Sequence, residues 1–507
     1  MGACDRPTDL STATNSFALP QRHDPILHPT HADASGETAL SNSTSSGRIK
    51  AGTIAAFAMA TIPVGALTTP LLVHLPPHYA GLLGLPLAAV GGIFFLVKVL
   101  DLIFDPAFGL LMDRTRTPIG RYRFWLIAAA PILMLGVWQL FLAKPGVSQL
   151  YLLIWLAVLY VGFSLLVLSQ SAWGAVLATN YDERSRVYAW ASASGTFGAI
   201  AVLILPLILK LPDNEVVPFM GWMIVLSIPI TTLIVAFGVK EPVVPRREAE
   251  DRLSWRDFPA LIARPTMARL LGADLLFTLG PAITSPLYLF FFIQARGYTL
   301  TEANVMLLFF IVAGIFGAPL WAMAAYRFGK HRTLMAGAAA YSVAQALIFF
   351  IPSKTFWLMA PAMFLAGGIL ASLGFLIRAM VADVGDEVRH QTGKDRVGLL
   401  YALVSSTSKI GTASAVLVTF AILDWVGFNA APGAVNTSGA MNGLVLTYAI
   451  APVVLVMAGA FAVRGYSLSR ERHDGIRADL DARDAAAIAG QSAAEAVAAA
   501  PTPAAGA

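Results

Sequence analysis

Residues 87–111 read LAAVGGIFFLVKVLDLIFDPAFGLL, an apolar run interrupted by charge only at Lys98, Asp101 and Asp105. A run of about 20 apolar residues is enough for one helical crossing of a bilayer. Charge at bilayer depth costs about 3 kcal/mol or more, so it is rarely kept there without a function. Asp101 and Asp105 stand four apart and share one helix face. Their carboxylates can surround a small cation or hold a shared proton. Lys98 can instead pair with Asp101, three residues on, and the two arrangements can coexist. The aspartate pair reads as a coupling-ion site.

The composition agrees with an all-α membrane protein. Hydrophobic residues make up 57% and charged residues 13%, against about 25% charged in soluble domains. Twelve stretches are long and apolar enough to span, near 52–74, 86–111, 124–143, 148–178, 187–210, 217–238, 269–293, 303–326, 333–351, 355–383, 397–423 and 440–464. The longer ones are expected to tilt or to extend beyond the bilayer. The single Cys4 gives no basis for a disulfide or a cysteine metal site. A net charge of +5 on 507 residues gives no nucleic-acid face. There is no nucleophile elbow, no His/Cys metal spacing and no phosphate-cradling loop, so neither an enzyme nor an ATP-driven pump is indicated, and no cofactor.

Orientation follows from the lysines and arginines of the connections. Arg114, Arg116, Arg121 and Arg123 follow the second span, and Arg184 and Arg186 the fourth. Arg327, Lys330 and Arg332 follow the eighth, and Arg389, Lys394 and Arg396 the tenth. The alternate connections carry single basic residues, Lys144, Lys210, Arg296 and Lys354, or none. Both termini are therefore expected in the cytoplasm. Residues 1–50 lack the apolar core of a signal peptide and read as a disordered cytoplasmic tail. Residues 466–507 form a second cytoplasmic tail, with a short surface helix around Asp479–Arg483 and an Ala/Pro/Gly-rich end.

The connection at 240–268 divides the spans into bundles at 51–239 and 269–465, and its Ser254-Trp255-Arg256-Asp257 segment reads as a short amphipathic helix on the membrane face. Punctuation repeats across the division. Asp182-Glu183 after span four matches Asp386-Glu387 after span ten, and Gly120-Arg121-Tyr122-Arg123 after span two matches Gly329-Lys330-His331-Arg332 after span eight. The offsets are 204 and 209 residues, about one bundle length. Two related six-helix bundles are the arrangement of the major facilitator superfamily.

Asp101-Leu102-Ile103-Phe104-Asp105-Pro106-Ala107-Phe108-Gly109, followed by Asp113-Arg114-Thr115-Arg116-Thr117 and Gly120-Arg121, resembles the second-helix signature of the glycoside–pentoside–hexuronide:cation symporters, which include the melibiose permeases. Trp173 with Asp182–Arg186, and Ala382-Asp383-Val384 through Gly393, Gly398 and Lys409, look like that family's fourth-helix exit and tenth-to-eleventh segment. The resemblance implies that Asp101 and Asp105 bind the coupling cation, H⁺ or Na⁺, and that Lys409, Lys98 and Arg378 are its charge partners. Lys409 can neutralise the paired acids across the bundle interface until a cation displaces it. The few polar groups near the pair tilt the expectation to H⁺. Asp113 with Gly109, Arg114 and Arg121 reads as a conformational latch rather than a solute site.

The sequence departs from the family at the solute site. Ser169 or Gln170 stands where melibiose permeases carry a sugar-binding aspartate on the fourth helix. Trp190, Ala191, Ser192 and Ser194 occupy the region of their fifth-helix arginine. Ser169, Gln170, Trp173, Trp190 and Ser194 can form a neutral pocket with an aromatic wall, or they can simply pack between helices. Asp274 and Thr278 in span seven are further solute-site candidates, with Tyr288 and Gln294 beyond them. Asp274 sits either at depth or near the cytoplasmic end. His74 and His78 flank Pro76-Pro77 at the outer end of span one, with His78 expected in the loop. The reading is a monomeric, multi-pass carrier of a bacterial inner membrane, in contact with lipid. It moves a glycoside or similar small polar solute with a monovalent cation; a lysolipid or other amphiphile is the alternative cargo.

Overall fold

In hydrocarbon every backbone N–H and C=O must be satisfied within its own segment, so an apolar chain of this kind resolves into helices. The computed structural model describes residues 49–178, 181–242, 257–393, 396–466, 468 and 470–498, with backbone alone at 113, 181–182, 257–258, 260, 470 and 487–498. Among the described residues, twelve helices are long and apolar enough to cross a membrane. They are α1 (Ala51–Leu82), α2 (Leu87–Met112), α3 (Arg121–Phe141), α4 (Gln149–Leu177), α5 (Glu183–Ile208), α6 (Asp213–Gly238), α7 (Pro265–Ala295), α8 (Leu300–Phe328), α9 (Lys330–Phe350), α10 (Phe356–Thr392), α11 (Val397–Trp425) and α12 (Ser438–Val463). Twelve crossings bring the start of α1 and the end of α12 to one face, called here the near face. Lys394 and the Ser254-Trp255-Arg256 segment lie outside the described residues; a short helix, Asp257–Ile262, begins where that segment ends.

The first span runs further than its sequence suggests. Pro76 and Pro77 do not end it, because the chain winds through two π-helical turns, Pro70–His74 and His78–Leu82. Such turns accommodate backbone that cannot keep regular i→i−4 bonding. His78, expected in a loop, is therefore helical and buried.

The repeated glycine punctuation has a conformational cause. Gly120 and Gly329 are the N-cap residues of α3 and α9, with φ of 111° and 86°, a region that L side chains avoid. A Cβ on Gly120 would also fall 2.3 Å from Oε2 of Glu241. The Glu241 carboxylate accepts from the backbone N–H groups of Arg121, Tyr122 and Arg123 at 2.9, 3.0 and 3.0 Å. It thereby satisfies the free donors at the positive end of α3.

Small residues set the helix crossings. A Cβ on Gly65 of α1 would fall 1.8 Å from the carbonyl oxygen of Gly195 in α5. In the other bundle, a Cβ on Gly317 of α8 would fall 2.0 Å from the carbonyl oxygen of Gly368 in α10. Backbones approach this closely only where side chains are absent.

The apolar core shows how the bundles meet. One continuous core includes Tyr122, Val187 and Val235 at the near end of α3, α5 and α6. It reaches Leu140 and Tyr79 at the opposite, far end and crosses into Tyr288, Phe291, Val416 and Phe420 of the second bundle. The near end of the second bundle has a separate core, with Leu270, Leu376, Leu400 and Val463. The bundles are joined at the far end and parted at the near end.

Beyond α12, helix α13 (Arg470–Ala498) lies against the near end of α10. It is longer than the short helix expected around Asp479–Arg483, since the alanine-rich stretch continues it; alanine is the strongest helix former. Asp484 pairs with Arg389 at 2.6 Å, Arg472 with Glu387 at 3.1 Å, and His473 with Asp386 at 3.0 Å.

Candidate functional site

Asp101 and Asp105 project from one face of α2 toward α11, and Lys409 stands midway along α11 facing them. Its ammonium lies 3.1 Å from Oδ2 of Asp101 and also contacts Oδ2 of Asp105. One cation from the second bundle is thus held by two anions of the first. The Asp101 side chain is 4% exposed, that of Asp105 21% and that of Lys409 28%. The lysine and Asp105 are therefore the members that solvent can reach. Charge-assisted hydrogen bonds of this kind are about twice as strong as neutral ones. In a buried setting they offset the desolvation of charges that would otherwise be too costly to keep.

Two residues of α4 that nothing in the sequence singled out, Ser164 and Tyr160, complete the surroundings of the pair. The Ser164 hydroxyl of α4 donates to Oδ1 of Asp101. Lys98, the alternative partner for Asp101, forms no ion pair with it among the described residues. Its ammonium lies 4.7 Å from the centroid of the Tyr160 ring on α4, a cation–π contact. Two acidic and two basic side chains thus meet within this cluster.

Asp274 sits at depth in α7, not at its end. It is 5% exposed, and its Oδ2 accepts from Thr407 at 2.6 Å and Ser408 at 2.8 Å. Successive helix residues are about 100° apart. Thr407 and Ser408 therefore engage α7 inside their own bundle while Lys409 reaches across to α2. The signal for them was the polar triplet Thr407-Ser408-Lys409 in the middle of an apolar span.

The neutral-pocket candidates differ in exposure. Ser169 is fully buried and donates to the Leu166 carbonyl of its own helix at 3.0 Å. Gln170 is buried as well. Trp173, expected as a stacking wall, is fully buried within the first bundle, edge-on to Phe57 at 6.1 Å, and presents no face to a solute in this conformation. Trp190 is 45% exposed and Ser194 half-buried on α5, so these two remain available. Thr278 packs at Gly411 of α11, where a Cβ would meet it at 3.1 Å. Tyr288 donates to the Ala303 carbonyl at 2.9 Å and Gln294 to the Ala430 carbonyl at 3.3 Å. Arg378 is exposed on α10 and has no ion pair with Asp101 or Asp105 among the described residues; its carbonyl accepts from the Tyr401 hydroxyl at 3.1 Å. Of the latch residues, Arg114 is exposed, Gly109 has open space where a Cβ would stand, and Arg121 lies over the Tyr122 ring at 4.3 Å. The Asp113 side chain lies outside the described residues.

The family model described as MFS/sugar transport protein matches residues 56–470. The chain belongs to that family. It is 23% identical to the symporter YnaJ of Bacillus subtilis (strain 168), over 80% of this chain and 89% of that protein. It is 25% identical to the isoprimeverose transporter of Lactiplantibacillus pentosus, over 77% and 83%. With a glucuronide carrier protein homolog of Escherichia coli (strain K12) it shares 26% identity, over 80% and 90%. Among solved structures, a variant of the nucleoside transporter NupG superposes with a TM-score of 0.62 at 13% identity, covering 81% of this chain and 99% of that one. A bacterial homolog of the human lysosomal transporter Spinster gives 0.57 at 17%, covering 82% and 95%. These likenesses establish the major facilitator fold. The protein is an integral, multi-pass membrane member of a transport family, and its relatives are carriers rather than enzymes.

Proposed function

We propose that this protein is a symporter of a bacterial inner membrane that moves a glycoside or similar small polar solute together with a monovalent cation, by alternating access. The observation that carries this reading is the clamp of Lys409 by Asp101 and Asp105. It is an exchangeable charge balance between the two bundles whose rearrangement couples ion entry to their relative motion. The names of the relatives, several of them symporters or carriers of glycosides, support the same class. The basic connections favour a cytoplasmic near face, which makes this conformation inward-open, and one chain supplies both bundles, so a monomer suffices. Ser164 adds a hydroxyl oxygen to those of the two carboxylates. That brings Na⁺ level with H⁺, which the sequence alone favoured.

The test is uptake into proteoliposomes driven separately by a proton and a sodium gradient across a panel of glycosides. Asp101→Asn and Asp105→Asn are expected to abolish accumulation while the protein still folds and inserts. Each removes a ligand and half of the site's negative charge, yet the isosteric amide is cheaper to bury than the acid. Accumulation against a gradient at the wild-type level in either variant would remove that residue from the coupling role.

A further inference from the structure

The connection between α11 and α12, residues 426–437, is built as a stiff cap at the far end. α11 stops at Gly427, whose φ is 70°. There the N–H of Phe428 donates to the Leu423 carbonyl at 2.9 Å and that of Gly427 to the Asp424 carbonyl at 3.0 Å. This is the Schellman arrangement, which needs a residue tolerant of positive φ. Pro432-Gly433 forms the tip, a turn with φ of 75° at its glycine, closed by the Ala434 N–H on the Ala431 carbonyl at 3.1 Å. Two asparagines tie the neck. Oδ1 of Asn436 accepts from the Asn429 N–H at 2.6 Å, and its Nδ2 donates to the Asn429 carbonyl at 2.9 Å. Gln294 of α7 braces the loop within its own bundle by donating to the Ala430 carbonyl at 3.3 Å. From 428 to 435 the buried residues are Phe428 and Ala430, at 4% and 6% exposure. Phe428 packs edge-on to Phe290 of α7 at 5.4 Å. The Ala430 carbonyl instead faces the other bundle. A Cβ on Gly81, in the second π turn of α1, would fall 2.8 Å from its oxygen.

We infer that the 426–437 connection is the far-end gate of the transporter, a preformed plug that moves with the second bundle and seats on Gly81 of the first. The plug is folded by its own turns and held from behind by Gln294, so it cannot yield freely to a side chain at the seat. An added Cβ at Gly81 is accommodated when the bundles part at the far end, because overpacking a closed contact costs more than leaving it open. The bare backbone of Gly81 is therefore what lets the far end shut completely. Opening that end separates Ala430 from Gly81 while the plug keeps its bonds to α7. The inference rests on alternating access but on no particular solute or coupling ion.

The experiment measures far-end opening directly. Spin labels are placed at Leu150→Cys and Trp357→Cys, exposed positions at the far ends of α4 and α10, in a Cys4→Ser background without solute. Gly81→Val is expected to raise the ratio of long to short distances about tenfold or more. Gly81→Ala, which is mild enough to fold in any case, should shift it in the same direction by less. Gly92→Val is the control, since nothing lies within 4 Å of a Cβ at that position of α2, and its distribution should match the wild type. Adding Asn436→Ala to Gly81→Val unties the neck of the plug, which then gives way, and the short distances should return. A wild-type distribution in both Gly81 variants, an equal shift in Gly92→Val, or a double variant as open as Gly81→Val alone would each overturn the assignment. Because no transport is read, a wrong coupling site or solute cannot imitate a failed gate.

Discussion

Asp101 and Asp105 are not equivalent. Asp101 is held by both Ser164 and Lys409, and Asp105 by Lys409 with the greater access to solvent. Ser164→Ala should therefore weaken the cation without stopping the cycle. A hydrogen bond to a charged group is worth about 1.5–3 kcal/mol, so the cation concentration for half-maximal transport should rise by roughly one to two decades with little change in maximal rate. A flux titration against cation checks this, and an unchanged half-maximal concentration would take Ser164 out of the site. Lys409→Ala should impair the return of the empty carrier, which needs a neutral site, while exchange of labelled for unlabelled solute survives better than net uptake. Equal loss of both would assign Lys409 to the solute or to the fold. The aspartates and Lys409 were legible in the sequence because charge is rare at bilayer depth. Ser164 was not, because most intramembrane serines bond their own helix, as Ser169 does, and only helix rotation decides otherwise.

The helices repeat this division between what patterning fixes and what packing decides. Hydropathy located all twelve spans, since a lipid-exposed helix must be apolar for its whole crossing. It mistook the end of α1, because a Pro-Pro pair reads as a terminator while the chain rewinds through π turns. Nor could it mark which glycines matter. Gly65 and Gly374 look alike in sequence, yet a Cβ on Gly65 meets a backbone carbonyl at 1.8 Å and one on Gly374 meets nothing within 4 Å. Gly65→Val should force α1 from α5 and destabilise the first bundle by about 1–3 kcal/mol or more. Gly374→Ala should be neutral or slightly stabilising through better helix propensity. Thermal unfolding in detergent separates the two, and equal midpoints would mean that α1 and α5 do not pack as closely as this.

At the scale of the whole molecule, the solute-site candidates are the residues whose exposure could least be read from the sequence. The neutral pocket drawn from Ser169, Gln170 and Trp173 is closed off inside the first bundle, because residues adjacent in a motif need not share a surface. Trp190 and Ser194 on α5 are left, and neither is the carboxylate or the guanidinium that grips vicinal hydroxyls. Affinity for a melibiose-type galactoside should accordingly be poor. Losing two charge-assisted hydrogen bonds at about 1.5–3 kcal/mol each weakens binding by roughly two to four decades if nothing compensates. A flatter or more apolar glycoside that can stack on an indole should bind better. Trp190→Ala should cost that ligand about 0.5–1.5 kcal/mol, a loss of roughly two- to twelvefold. Trp173→Ala should act instead on stability, through the emptied space beside Phe57. Equilibrium binding of a galactoside and of aryl glycosides to the wild type and both variants decides the matter. Sub-millimolar galactoside affinity, or a Trp190→Ala variant that binds the whole panel unchanged, would place the recognition surface on other helices.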